Sequence, residues 1–89
     1  DKMIVIRDVA PAAPVHVLMI PKAHTENIIT AEPELLLYMF GKVKELAEKL
    51  GVNEKGFRIV ANTGDDGGQT VKHLHIHLLG GKALGWPPC

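Results

Sequence analysis

Cysteine is nearly absent from this chain: the one thiol, Cys89, has no partner for an internal disulfide, which fits a reducing compartment. Long apolar runs are missing as well. No stretch approaches the ~18–20 residues that a membrane span needs. Excess charge of either sign is also lacking. The 10 basic and 10 acidic residues cancel, so no net field draws the chain to a nucleic-acid backbone. The opening Asp1-Lys2-Met3-Ile4-Val5 has no signal-peptide layout, and nothing in the chain reads as a linker, repeat or low-complexity tract. The expectation is a cytoplasmic protein with neither membrane nor nucleic acid as a partner. At 89 residues it has room for one domain with one modest core.

What the chain does contain is well-patterned. Met3 to Arg7 is apolar and β-branched and reads as a first strand. Pro11 and Pro14 then break regular structure, because each removes a donor and fixes φ. Val15 to Ile20 reads as a second strand ended by Pro21, with Val15, Val17 and Met19 on one face and His16, Leu18 and Ile20 on the other. Pro33, Glu32 and Glu34 suit the start of one long helix. Its buried stripe is expected to be Leu36, Met39, Phe40, Val43, Leu46, Ala47 and Leu50, with Gly51 as the stop. Phe57 to Asn62 and Val71 to Leu79 read as a third and a fourth strand. One helix beside four separated strands, with no βαβ repeat, predicts an α+β fold: an antiparallel sheet covered on one face.

The fourth strand carries His73-Leu74-His75-Ile76-His77. Residues two apart in a strand share a face, so the imidazoles are expected in a row roughly 6.5 Å apart, with Leu74, Ile76 and Leu78 opposite. Directly before them runs Gly64-Asp65-Asp66-Gly67-Gly68-Gln69-Thr70. His-X-His on a strand can ligate zinc, and His77 or His16 could supply a third ligand. No carboxylate stands at ligand spacing near the row, however, and Asp65-Asp66 belongs to a turn. Phosphate chemistry accounts for more of the neighbourhood. Gly67 and Gly68 allow backbone N–H groups to converge on an anion, and Gln69 and Thr70 add side-chain donors. A neutral imidazole can attack phosphorus when its other nitrogen is held by an acceptor. His24, in a polar turn after Pro21, carries no expected role.

His73-Leu74-His75-Ile76-His77-Leu78-Leu79 is a full His-X-His-X-His-X-X pattern with apolar X. Around it stand Asp8-Val9-Ala10-Pro11, Ala13-Pro14-Val15-His16, Ile20-Pro21-Lys22-Ala23-His24, Asn62-Thr63-Gly64, Gly80-Gly81 and Trp86-Pro87-Pro88. Together these resemble the histidine triad (HIT) superfamily of nucleotide hydrolases and transferases, and within it the Hint branch of purine nucleoside phosphoramidases. The galactose-1-phosphate uridylyltransferase branch fits less well, since it has proline inside the motif where this chain has Ile76.

The resemblance implies His75 as the nucleophile on the α-phosphorus, His77 on the phosphate oxygens and the His73 carbonyl as the group that orients His75. It makes His16 the fourth histidine beside the triad. Asn62, Gly68 and Gln69 fall at phosphate-side positions, Thr70 near the leaving group where the branch usually has serine, and Asp8 and Val9 at the ribose. The tail brings Trp86 toward the partner's site across a homodimer whose sheet runs through both chains. Residues 1–89 would form a single HIT-like domain without the strand and short helix that family members usually carry upstream, which leaves the choice of adenine or guanine open. The expected activity is hydrolysis of the P–N bond of purine nucleoside 5′-phosphoramidates, or of acyl and aminoacyl nucleotides, with no metal or other cofactor. Dinucleoside polyphosphate hydrolysis, as in the Fhit branch, is the alternative enzyme reading. A nucleotide-binding regulator and a zinc metallohydrolase are the readings from other classes.

Overall fold

The computed structural model describes residues 1–88; Cys89 lies outside the described residues. Four strands form one antiparallel sheet: β1 (Met3–Arg7), β2 (Val15–Pro21), β3 (Phe57–Val60) and β4 (Ile76–Gly80), in the spatial order β1-β2-β4-β3. The two helices, α1 (Pro33–Gly41) and α2 (Val43–Leu50), connect β2 to β3. The α+β architecture expected from the sequence is the one observed.

Register follows from alternation. Met19 pairs with Ile76 and Val17 with Leu78, and Ile59 meets Leu78 from the other side. Residues directly opposite share a face, so these side chains form one apolar surface under the helices. Met19, Met39, Ile76 and Leu78 are completely buried there, and Val17, Ala47 and Val52 extend the core. Slipping β4 by one residue would turn the histidines into this core and Ile76 and Leu78 out of it, so burial fixes the register strongly. The opposite face bears Ile4, Ile6, His16, Leu18, Ile20, Arg58, Val60, His77 and Leu79, none of them under a helix.

The helical segment covers the expected residues but breaks for one residue at Lys42, whose N–H bonds to Met39 O. The inward stripe nevertheless continues across the break, since Val43 and Leu46 of α2 pack on the same cluster as Met39 of α1. α1 turns Leu35, Leu36 and Met39 inward and leaves Phe40 at the rim, 47% exposed, so Phe40 is not the core residue that the periodicity predicts. α2 ends as expected. Gly51 has a left-handed φ of 72°, its N–H reaches Glu48 O, and Val52 N–H reaches Ala47 O.

Two strands are shorter than their sequence patterns. β3 stops at Val60 rather than Asn62, and β4 begins at Ile76 rather than Val71. The reason is a missing partner. β2 and β4 pair only as far as Met19 and Ile76, because Pro21, which has no N–H, closes β2. His73 and His75 therefore precede the strand, although the inside–outside alternation of residues 73–80 continues through them.

Candidate functional site

His77 sits in β4 between Leu18 and Val60 of the neighbouring strands, on the face that the helices leave open. His16 stands diagonal to it on β2. Its Nε2 lies 2.9 Å from His77 Nδ1, with the ring centroids 5.1 Å apart. The tautomers follow from the other partners. Ala12 N–H donates to His16 Nδ1 at 3.0 Å, so that nitrogen holds the lone pair and Nε2 carries the hydrogen. Asp8 Oδ2, 3.5 Å from His16 Nε2, is a second acceptor facing the same hydrogen. His16 Nε2–H thus donates to His77 Nδ1, which leaves His77 Nε2–H free as a donor. The same reasoning applies to His75. Its Nδ1 lies 2.8 Å from the carbonyl oxygen of His73, which can only accept. Nδ1 therefore carries the hydrogen, and Nε2 of a neutral ring is left as an unshared lone pair. His75 and His77 stand edge to face with centroids 5.2 Å apart. A bare nitrogen and a hydrogen-bond donor are presented side by side.

Burial holds the His77 imidazole below its ordinary pKa of 6.5; the neighbouring His75 and His16 rings push the same way, and Asp8 opposes them. The shift favours the neutral His77 ring, which the donor chain through His16 requires. The sign for stability follows. A folded-state value below the unfolded one means that the unfolded chain binds the proton more readily, so this group lowers stability as pH falls below about 6.5 and has no effect well above it. In a nitrogen-detected NMR titration, His77 should titrate below the free imidazole. Asp8→Asn should lower it further, because the one opposing charge is gone. An unchanged or raised value in Asp8→Asn would contradict this account.

Asp8, His16 and His77 bring one ligand-type atom each within 4.8 Å of one another. That corrects the expectation that no carboxylate stands near the row: Asp8 comes from a segment distant in sequence. The trio does not fit a metal as it stands. His16 could ligate only through Nε2, and freeing that lone pair would turn an Nδ1–H against the N–H of Ala12.

A family profile for the HIT domain matches residues 1–84. An uncharacterized HIT-like protein of Synechococcus elongatus is 54% identical over 91 residues, covering 99% of this chain and 79% of the relative. One from Chlamydia trachomatis is 51% identical over 88 residues, covering 96% and 78%. The chain belongs to the HIT family. Among solved structures, a HIT family hydrolase from Legionella pneumophila superposes with a TM-score of 0.94 at 41% identity, covering all of this chain and 82% of that one. A histidine triad nucleotide-binding protein from Candida albicans gives 0.81 at 31% identity, covering 97% and 68%.

The remaining positions of this HIT protein divide by what they touch. Asn62 Nδ2 donates to Gly67 O at 2.7 Å and so closes the base of the glycine loop. Gly68 takes a left-handed φ of 76°, and its N–H turns back to Asp65 O. Gln69 is not the free donor that the sequence suggests. Both of its amide hydrogens are taken, by Glu26 O at 2.7 Å and Val71 O at 3.1 Å, and its Oε1 accepts from Gly64 N–H and Asn27 Nδ2. Gln69 braces two loops against each other. The N–H groups of Gly64, Gly68 and Gln69 are likewise bonded within the loop, so the expected anion cradle is partly closed on itself.

Thr70 is exposed three residues ahead of His73, and Val9, next to Asp8, is fully exposed. Trp86 is 80% exposed, with the Arg58 guanidinium 5.9 Å from its ring centre while Arg58 Nη2 donates to Gly85 O. The structure separates one histidine from the others. The His73 ring is bonded instead to Pro21 O and to His24, a residue with no role expected from the sequence. Nothing in the sequence marks that pairing, because the partners are 49 positions apart.

Proposed function

We propose that this HIT protein hydrolyses the P–N bond of purine nucleoside 5′-phosphoramidates, or the related bond of acyl and aminoacyl nucleotides, through a nucleotidyl-His75 intermediate. The observation that carries the reading is the His75 Nδ1–H bond to the His73 carbonyl, which aims an unprotonated Nε2 outward. In the first step Nε2 forms a bond to the α-phosphorus and the P–N bond breaks, the amine leaving with a proton taken from water. The charge that arises on the His75 ring is stabilised through Nδ1–H by the carbonyl, and His77 Nε2–H donates to a phosphoryl oxygen. In the second step water gives its hydroxyl to phosphorus and a proton to solvent. The N–P bond breaks, and the His75 lone pair returns. The sum is phosphoramidate plus water giving nucleoside monophosphate plus amine.

Asp8 and Val9 would meet the ribose, and Asn62, Gly68, Gln69 and Thr70 would shape the phosphate and leaving-group side. Gln69 would do so by holding the loop rather than by direct contact. Quenching a reaction with adenosine 5′-phosphoramidate and mapping peptides by mass spectrometry should find a nucleotidyl adduct on the peptide containing His75. Turnover should persist after prolonged chelation. An adduct elsewhere, or activity lost to the chelator and restored by zinc, would overturn the scheme.

The working form would be a homodimer. β3 is an edge strand of the four-stranded sheet, and pairing it with its copy would extend the sheet and remove an exposed edge. The tail, stiffened by Pro87 and Pro88 and held by Arg58, would carry Trp86 to the neighbouring site. Deleting residues 85–89 should then change selectivity among leaving groups and lower turnover without unfolding the domain. A fully active monomer in light scattering at micromolar concentration would refute the dimer.

A further inference from the structure

The segment that presents His75 has no strand partner. β4 starts at Ile76, so no ladder hydrogen bond of β2 reaches the peptide that carries the orienting carbonyl. A loop holds it instead. Leu74 N–H donates to Thr25 O at 2.7 Å. The carbonyl of His73 belongs to the same planar peptide and points the opposite way, toward the His75 ring. The His73 side chain is fastened at both ring nitrogens, to the last residue of β2 and to the loop that follows it. Nε2 lies 3.0 Å from Pro21 O, and Nδ1 lies 2.9 Å from His24 Nδ1. A carbonyl only accepts, so His73 Nε2 carries the hydrogen and Nδ1 of the neutral ring the lone pair. His24 must then donate through its Nδ1–H. The His24 and His73 rings also touch, with centroids 4.9 Å apart.

We propose that His24 is a positioning residue: by hydrogen-bonding His73 it holds the His73–Leu74 peptide in the orientation that fixes the tautomer and aim of His75. This rests on the reading of His75 as the nucleophile. His24 touches no reacting atom; it acts through His73 and the loop of residues 21–25. Fastening one side of the peptide through Thr25 O and the other through the His73 ring leaves the carbonyl with no freedom to swing. Without His24 the ring is held by Pro21 O alone and can rotate about that bond. The peptide would then be fastened on one side only, through Leu74 N–H to Thr25 O, so its carbonyl could tilt about that bond and His75 would populate the other tautomer, whose hydrogen sits on Nε2.

Three substitutions separate this role from mere packing. His24→Phe keeps a ring without a donor, His24→Asn places an amide N–H near the position of Nδ1 without a ring, and His24→Ala has neither. The loss of one neutral hydrogen bond should lower kcat roughly fivefold in the Phe and Ala variants, with KM little changed. Asn should recover most of the loss. Nitrogen NMR should show His75 as the Nδ1–H tautomer in the native protein and in His24→Asn, and as a mixture in His24→Phe and His24→Ala. Phe rescuing while Asn does not would overturn the proposal, as would a pure Nδ1–H tautomer in all three. Because the tautomer is read without turnover, failure here is distinct from failure of the nucleophile assignment, which His75→Ala tests by itself.

Discussion

His75→Ala should abolish phosphoramidate turnover while mononucleotide binding stays near the native value. The expected loss is at least ~1,000-fold, because no second group can take over a covalent step and the slow background reaction alone remains. Binding survives for a structural reason. His75 lies ahead of β4 and is only half-buried, so its removal empties no part of the core. The His16–His77 pair, which supplies the donor for a phosphoryl oxygen, is fastened by Ala12, Asp8 and strand register rather than by His75. His77 also loses one of the neighbours that push its pKa down, so its titration should rise in the variant. That shift reports that the rings remain in place. His75→Ala keeping most of its turnover would end the covalent mechanism, and loss of nucleotide binding would move His75 from chemistry to recognition.

The alternation of Leu74, Ile76 and Leu78 with the histidines predicted correctly which side each residue faces, because burial of the three apolar side chains decides it. It did not reveal which backbone groups are paired. Residues 73–75 alternate like a strand, but Pro21 ends the neighbouring strand too early to pair with them, and Leu74 N–H turns to a loop. The helical stripe was legible for Met39, Val43, Leu46 and Ala47 and failed at Phe40, because a 3.6-residue period places that residue at the edge of the inward arc and does not say how far the core reaches around the helix. In the site, His16, His73, His75 and His77 could be read from spacing and resemblance. The polar partners of Gln69 could not, because Glu26 and Asn27 approach it only after the chain has crossed the domain. Asp8 beside His16 and His24 beside His73 were hidden for the same reason: side-chain pairs across loops leave no period in the sequence.

Gly67→Ala should damage both stability and turnover, although position 67 is exposed and its φ is ordinary. A Cβ there would collide with the carbonyl oxygen of Thr63, with its nitrogen only 2.9 Å and its carbonyl carbon 3.1 Å away. These are backbone atoms, which cannot rotate aside as a side chain can, so the loop itself has to move. Overpacking of this kind typically costs about 1–3 kcal/mol. The movement does not stay local. Gly67 O accepts from Asn62 Nδ2, and the loop continues into Gln69, whose side chain bonds Glu26 O and Asn27 Nδ2. Residues 26 and 27 adjoin Thr25, whose carbonyl receives Leu74 N–H and so steadies the peptide that aims His75. A shifted glycine loop should therefore lower kcat by about tenfold or more and not merely weaken substrate binding. Gly41→Ala is the control. At the end of α1 a methyl group would meet nothing within 4 Å, and its φ is not in the left-handed region, so alanine should be neutral or slightly stabilising there. Thermal melting of both variants, alongside turnover at saturating substrate, makes the comparison. Native kcat in Gly67→Ala would mean that the glycine loop and the His73 carbonyl are mechanically independent.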